Sequence, residues 1–172
     1  MLFSDLPNLL NDGERIDANS LQRLLPVTPI DVITQVYSDH GLNGYFQYLY
    51  GNIEIDRLQW KEMSVEGRLI IKCSVNNEFI DYLLMTASKV DKNTFNDLDG
   101  VLCGRYKEQG SWIKTHSWIL PPVFIDPKII NITNKELHLV EGHTRIGLLK
   151  GFIKCGFIAP EKCHRIYLGS YV

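Results

Sequence analysis

Leu137-His138-Leu139-Val140-Glu141-Gly142-His143-Thr144-Arg145-Ile146-Gly147-Leu148-Leu149-Lys150 is the stretch on which the reading of this chain turns. Leu137 to Val140 is a mostly apolar run with the length of a buried strand. It meets an acid and a glycine, after which Ile146, Leu149, Phe152 and Ile153 recur at helical spacing. A strand that turns through glycine into a helix leaves the first helical N–H groups without partners and presents a positive dipole end. Gly142 has no Cβ, so a ligand can approach the backbone there. His143 and Arg145 offer charge-assisted hydrogen bonds from the same turn. This is the chemistry of an anion pocket, most naturally one for phosphate. The plainer alternative is a tight turn at Gly142, with Glu141 and Thr144 capping the helix and Arg145 solvated.

The flanks fit a compact α+β arrangement. Val123-Phe124-Ile125 reads as a short buried strand after Pro121-Pro122, and Asp126-Pro127 turns the chain. Glu136 to Val140 returns as a strand, a helix runs from about Thr144 to Cys155, and Gly156 stops it. His164 to Leu168 reads as a closing strand. Upstream, Ile53-Glu54-Ile55-Asp56 alternates like a half-buried strand that Leu58 and Trp60 extend, and Arg68 to Val75 reads as another. Phe79, Ile80, Leu83, Leu84 and Ala87 give helical spacing over Glu78 to Lys89. Asp91 to Asp99 reads as a loop, and Gly104 to Gly110 as a polar, glycine-bounded segment.

Residues 1 to about 25, broken by Pro7, Gly13 and Pro26, read as weakly ordered. A helix then begins at Thr28-Pro29, with Thr28 as cap and Asp31 complementing the dipole, and ends near Gly41. Tyr45, Phe46, Tyr48, Leu49 and Tyr50 form a second, aromatic helix closed by Gly51, more a core seam than a ligand box. The expected organisation is a helical extension over residues 1–51 and an α/β domain over residues 52–172.

Composition sets limits. With 172 residues, 45% apolar, 22% charged and a net charge of −2, the chain has an ordinary globular make-up. That balance argues against a nucleic-acid partner. No apolar run reaches the roughly 18 residues a membrane span needs, and Met1 to Asp5 has no signal-peptide character. Cys73, Cys103, Cys155 and Cys163 form no C-x-x-C pair, which suits reduced thiols and a cytoplasmic setting. The histidines show no metal-ligand spacing, so no metal held by protein ligands is expected. Cys163 and His164 are neighbours on a strand and point to opposite faces, so they make no dyad. Asp39-His40 reads as a helix end. Trp112, Trp118, Lys114 and Arg105 read either as an aromatic–basic surface or as packing beside the central turn.

Pro122-Val123 with its short strand, followed by Leu139-Val140-Glu141-Gly142-His143-Thr144-Arg145-Ile146 and a helix, resembles the ParB/sulfiredoxin superfamily over about residues 118–170. The resemblance implies a small mixed sheet with packed helices, in which a glycine-led basic turn holds nucleotide phosphates. Sulfiredoxins carry a cysteine where this chain has His143, so their repair activity is not implied. ParB proteins match only Gly142 and Arg145. The turn is most similar to the acid-glycine-His-x-Arg pattern of free-serine kinases of this fold. That similarity implies Gly142, His143, Thr144 and Arg145 as cofactor-binding residues, Glu141 and His143 as catalytic ones, and ATP or CTP with Mg²⁺ as cofactor. Two functions are therefore expected in competition. One is a nucleotide-dependent phosphotransferase or nucleotidase, with Glu141 or an acid of the Glu54–Asp56 segment as base or Mg²⁺ ligand. The other is a non-enzymatic immunity or antitoxin protein that masks a toxin through the helices at residues 28–50.

Overall fold

The computed structural model describes residues 1–9, 15–90 and 106–171, with side chains from residue 110 onward in the last segment. Its centre is a four-stranded sheet in the order β1-β4-β2-β3, formed by β1 (Gln59–Glu66), β2 (Val123–Ile125), β3 (His138–Glu141) and β4 (Cys163–Ser170). β4 runs antiparallel to β1 and parallel to β2, and β2 runs antiparallel to β3. The fold class is α+β.

β2 is apolar at every position because helices cover both faces of the sheet. Val123, Ile125, Val140 and Tyr167 point into one core, shared with Phe3, Leu6, Leu21, Ile33 and Tyr37 of the amino-terminal segment. Phe124, Leu139 and Ile166 point into the other, shared with Trp112, Trp118, Leu149 and Phe152. Both tryptophans are buried, so they pack beside the central turn and form no surface.

The amino-terminal layer holds a 3₁₀ helix (Phe3–Leu9), α1 (Ala18–Leu24), α2 (Ile30–Val32), a π-helical stretch (Ile33–Ser38) and α3 (Gly44–Tyr50). The described part of residues 1–25 is thus ordered, contrary to expectation: Phe3, Leu6 and Leu21 are buried, and Asp17 caps α1. Thr28 does not cap α2. Its side chain is buried, and the cap position falls to Pro29 without a side-chain hydrogen bond. Asn43 caps α3, whose Phe46 and Tyr50 face the core.

Two expected strands are absent. Ile53 and Ile55 are buried, but the segment makes only an isolated bridge, Glu54 with Leu2, before it turns, and the sheet begins at Gln59. Residues 68–75 open with a helical turn, α4 (Gly67–Ile70), pack Ile70 against the sheet, and pair with it only at a Ser74–His138 bridge. In both places the apolar pattern marks burial rather than a strand of the sheet. α5 (Asn77–Ser88) matches the helical reading. α6 (Tyr106–Thr115) is a helix where a polar segment was expected. The expected loop at residues 91–99, together with Cys103 and Arg105, lies outside the described residues.

α7 (His143–Lys154) lies against α5 through two glycines one turn apart. A Cβ on Gly147 would sit 2.8 Å from Thr86 Cβ, and one on Gly151 2.6 Å from Val90 Cβ. These contacts are closer than atoms tolerate, so Gly147→Ala should destabilise the fold by about 1–3 kcal/mol through overpacking. Gly110 in α6 meets nothing within 4 Å, and Gly110→Ala should stabilise by roughly 0.5–1 kcal/mol. Urea midpoints of the two variants should move in opposite directions. A shared direction would contradict this helix contact.

Candidate functional site

The turn from β3 into α7 depends on its glycine. Gly142 is the helix N-cap with φ of +112°, a left-handed conformation that a side chain would strain. A Cβ there would also lie 2.5 Å from Pro122 Cβ, with the Arg145 guanidinium at 3.3 Å. The open side of the glycine is therefore filled by the protein itself. No side chain caps α7, so the expectation of Glu141 and Thr144 as caps does not hold. Thr144 Oγ1 instead lies 2.8 Å from Tyr82 Oη. The first-turn N–H groups have no intrahelical acceptor and lie at the positive dipole end.

Arg145 reaches back across the turn. Its Nη1 donates to Leu120 O at 2.7 Å and its Nη2 to Gln35 Oε1 at 2.8 Å. Gln35 Nε2 in turn donates to Pro121 O at 3.2 Å. One cation thus ties the π-helical stretch, the diproline segment and α7 together. Glu141 Oε1 lies 3.6 Å from Arg145 Nη2, and Glu141 Oε2 lies 3.3 Å from His40 Nε2. His40 stacks on Phe46 with centroids 4.1 Å apart. Burial works against the charged form of Glu141, but the hydrogen bond from His40 and the charge of Arg145 outweigh it and lower its pKa. Glu141 is a carboxylate at neutral pH.

Phe79, Tyr82, Glu141, His143 and Thr144 line an open cleft of about 440 Å³. His143 is only 7% exposed and packs on Phe79, with centroids 4.3 Å apart. Its Nε2 is buried with no hydrogen-bond partner among the described residues. Burial lowers its pKa to about 4, against a weaker upward pull from Glu141, so the ring is neutral at physiological pH. The cleft thus offers one carboxylate, one neutral imidazole, a hydroxyl and an uncapped helix start. Of the residues read from the sequence, it gathers Glu141, His143 and Thr144, while Gly142 packs against Pro122 and Arg145 behind them. His40 is a member that sequence reasoning assigned to a helix end. Its contact spans a hundred residues, and no local pattern announces it. Tyr82 and Phe79 are likewise brought in by the glycine contact between α5 and α7.

A second histidine network closes on itself. Tyr50 Oη lies 3.1 Å from His138 Nε2, His138 Nδ1 lies 2.9 Å from Ser74 Oγ, and Asn76 Nδ2 donates to Tyr50 Oη at 2.6 Å. Ser74 Oγ donates to Leu137 O at 3.2 Å. Every group is satisfied when Tyr50 donates to Nε2 and His138 donates from Nδ1 to Ser74. Ser74 is then an acceptor, not an activated nucleophile. Cys73, Cys155 and Cys163 are free thiols, and Cys163 is exposed while His164 is buried. No group of three or more potential metal ligands occurs among the described residues, and none of their helices is long and apolar enough to cross a membrane.

No family model matches the chain, and neither a curated protein nor a solved structure is detectably similar to it.

Arg145→Ala strips two charge-assisted hydrogen bonds and should cost about 3 kcal/mol in urea unfolding. Gln35→Ala in the Arg145→Ala background should then cost much less than in wild type; full additivity would contradict the network. Acid should also destabilise the protein. His138 and His143, both held at about 4 chiefly by burial, stay neutral when folded but titrate near 6.5 when unfolded. The unfolded chain therefore binds more protons between those values, and stability falls as pH drops through the window. From pH 7 to pH 5 the loss should be roughly 1–2 kcal/mol per histidine. Equal urea midpoints at the two pH values would contradict these assignments.

Proposed function

We propose that the cleft at the start of α7 binds the phosphates of a nucleotide, ATP or CTP with Mg²⁺, and supports phosphoryl transfer or hydrolysis. The observation that carries this reading is the uncapped amino terminus of α7 opening on a cleft lined by His143, whose buried Nε2 has no partner among the described residues. Orphan N–H groups and the helix dipole favour phosphate oxygens. His143 supplies a further hydrogen-bonding valence without adding charge. Glu141 is ionised and suits a Mg²⁺ that keeps most of its ligands as water and phosphate, or takes a proton from an attacking hydroxyl. Phe79 and Tyr82 wall the opposite side. The reading draws further support from the similarity of residues 141–145 to the free-serine-kinase turn, with one adjustment. Arg145 positions the turn from behind, and phosphate contact falls to the backbone.

The second reading is a non-enzymatic protein that neutralises a toxin. One observation favours it: Leu24, Val27 and Ile30 are exposed in a short span of the amino-terminal layer, as is Tyr48 on α3. Exposed apolar side chains in one region suit a protein partner.

Thermal unfolding with ATP, CTP and ADP plus Mg²⁺ separates the two. A nucleotide at a hundred times its Kd adds about 2.7 kcal/mol, or roughly 5–10 °C for a chain of this size. Thr144→Asp is the informative variant. Its carboxylate can still accept from Tyr82 and complements the helix dipole, but it repels phosphate. The expected result is an unchanged melting point without ligand and loss of the nucleotide shift. No shift with any nucleotide in wild type rejects the enzyme reading.

A further inference from the structure

On the other flank of α5 lies a second concavity that the nucleotide reading does not use. It consists of two adjoining hollows that share Cys73 and Lys135. The first, about 520 Å³, is mixed, with Lys72, Thr133, Asn134 and Glu136 on its walls beside Leu69 and Leu137. The second, about 300 Å³, is apolar: Ile71, Val75, Ile80, Leu84 and, at its floor, Leu83 and Ile146. Ile80 and Leu84 are 38% and 44% exposed and stand one helical turn apart. Lys150 reaches the apolar hollow from α7. A more polar hollow thus adjoins a more apolar one, with Lys135 shared between them, Lys72 on the first and Lys150 on the second.

We propose that this trough binds a single-chain fatty carboxylate, its alkyl chain in the apolar hollow and its carboxylate between Lys135 and Lys150. Charge complementarity chooses this occupant. Three lysines line the two hollows against one acid, Glu136, so an anionic head is favoured and a cationic or neutral one is not. Exposed Ile80 and Leu84 gain by being covered, and a flexible alkyl chain fits an open trough without demanding a fixed shape. The head lies over Cys73. Lys135, Lys150 and Cys73 all line the second hollow, and both lysines act electrostatically on that thiol. Burial nevertheless pushes the Cys73 thiol up to about 12, so it stays protonated and adds no competing negative charge. Lys135 Nζ also donates to Lys72 O at 3.1 Å, which holds it at the junction of the hollows.

Calorimetric titration of the full chain with decanoate, kept below its micellar range, tests the site. Wild type should show saturable binding, with acetate and decanol much weaker. Lys135→Glu/Lys150→Glu should weaken decanoate by roughly tenfold or more, since each reversal removes a charge-assisted contact. Leu84→Asp, at an exposed position that the fold tolerates, should weaken it comparably by placing a charge where the chain lies. Thr144→Asp, in the nucleotide cleft, should leave decanoate binding unchanged. Absence of saturable binding, binding indifferent to the lysine reversals, or binding of polyglutamate as tight as decanoate would each overturn the proposal.

Discussion

The guanidinium of Arg145 is the point on which the two halves of this chain close. It is built into the first turn of α7, yet its donors go to Leu120 O and to Gln35, 110 residues away. A planar fork can satisfy two acceptors in fixed directions at once, which an ammonium cannot. Because Gln35 passes the constraint on to Pro121 O, the amino-terminal layer, the entry to β2 and the start of α7 hold one relative geometry. Glu141 and His40 complete the cluster on the cleft side and leave the arginine charge balanced where water is scarce.

That closure explains why the cleft has its shape. Because Gly142 has no Cβ, Pro122 and Arg145 press against it, so the turn is braced from behind and open in front. Gly147 and Gly151 then draw α5 close enough for Tyr82 to meet Thr144 and for Phe79 to cover His143. A site whose residues are held by packing rather than by loops loses little order on binding a ligand. The same α5 turns Ile80 and Leu84 toward the lysine-edged trough, so one helix walls two different chemistries.

Much of this was legible in the sequence where pattern and structure share a cause. β2 reads as an unbroken apolar run because both its faces are covered. β3 and α7 read clearly because a glycine separates a short apolar run from a helical period. β1 was reached only at Trp60, as the end of a strand begun at Ile53, because its remaining residues are mostly polar and exposed, Lys61-Glu62 among them, and its pairing with β4 is a backbone matter. Ile53 and Ile55 misled for the opposite reason, being buried by a turn against the amino-terminal core. The π-helical stretch buries Ile33, Gln35, Val36, Tyr37 and Ser38 almost in succession, a pattern that no regular helical period produces. In the site, Glu141 to Arg145 were found because they are contiguous. His40, Phe79, Tyr82 and Gln35 were not, because they arrive from other elements. The small-x-x-x-small spacing of Gly147 and Gly151 was present throughout and is the signal that could have announced the α5 contact.

The cleft as a phosphate site is tested most directly by an amide chemical-shift titration with ATP and Mg²⁺ on the isotopically labelled protein. Saturable shifts should concentrate on the backbone N–H groups of His143 and Thr144, with smaller ones at Tyr82 and none at Lys135 or Lys72. Shifts that miss the first turn of α7, or a spectrum that ATP leaves unchanged, would contradict the account.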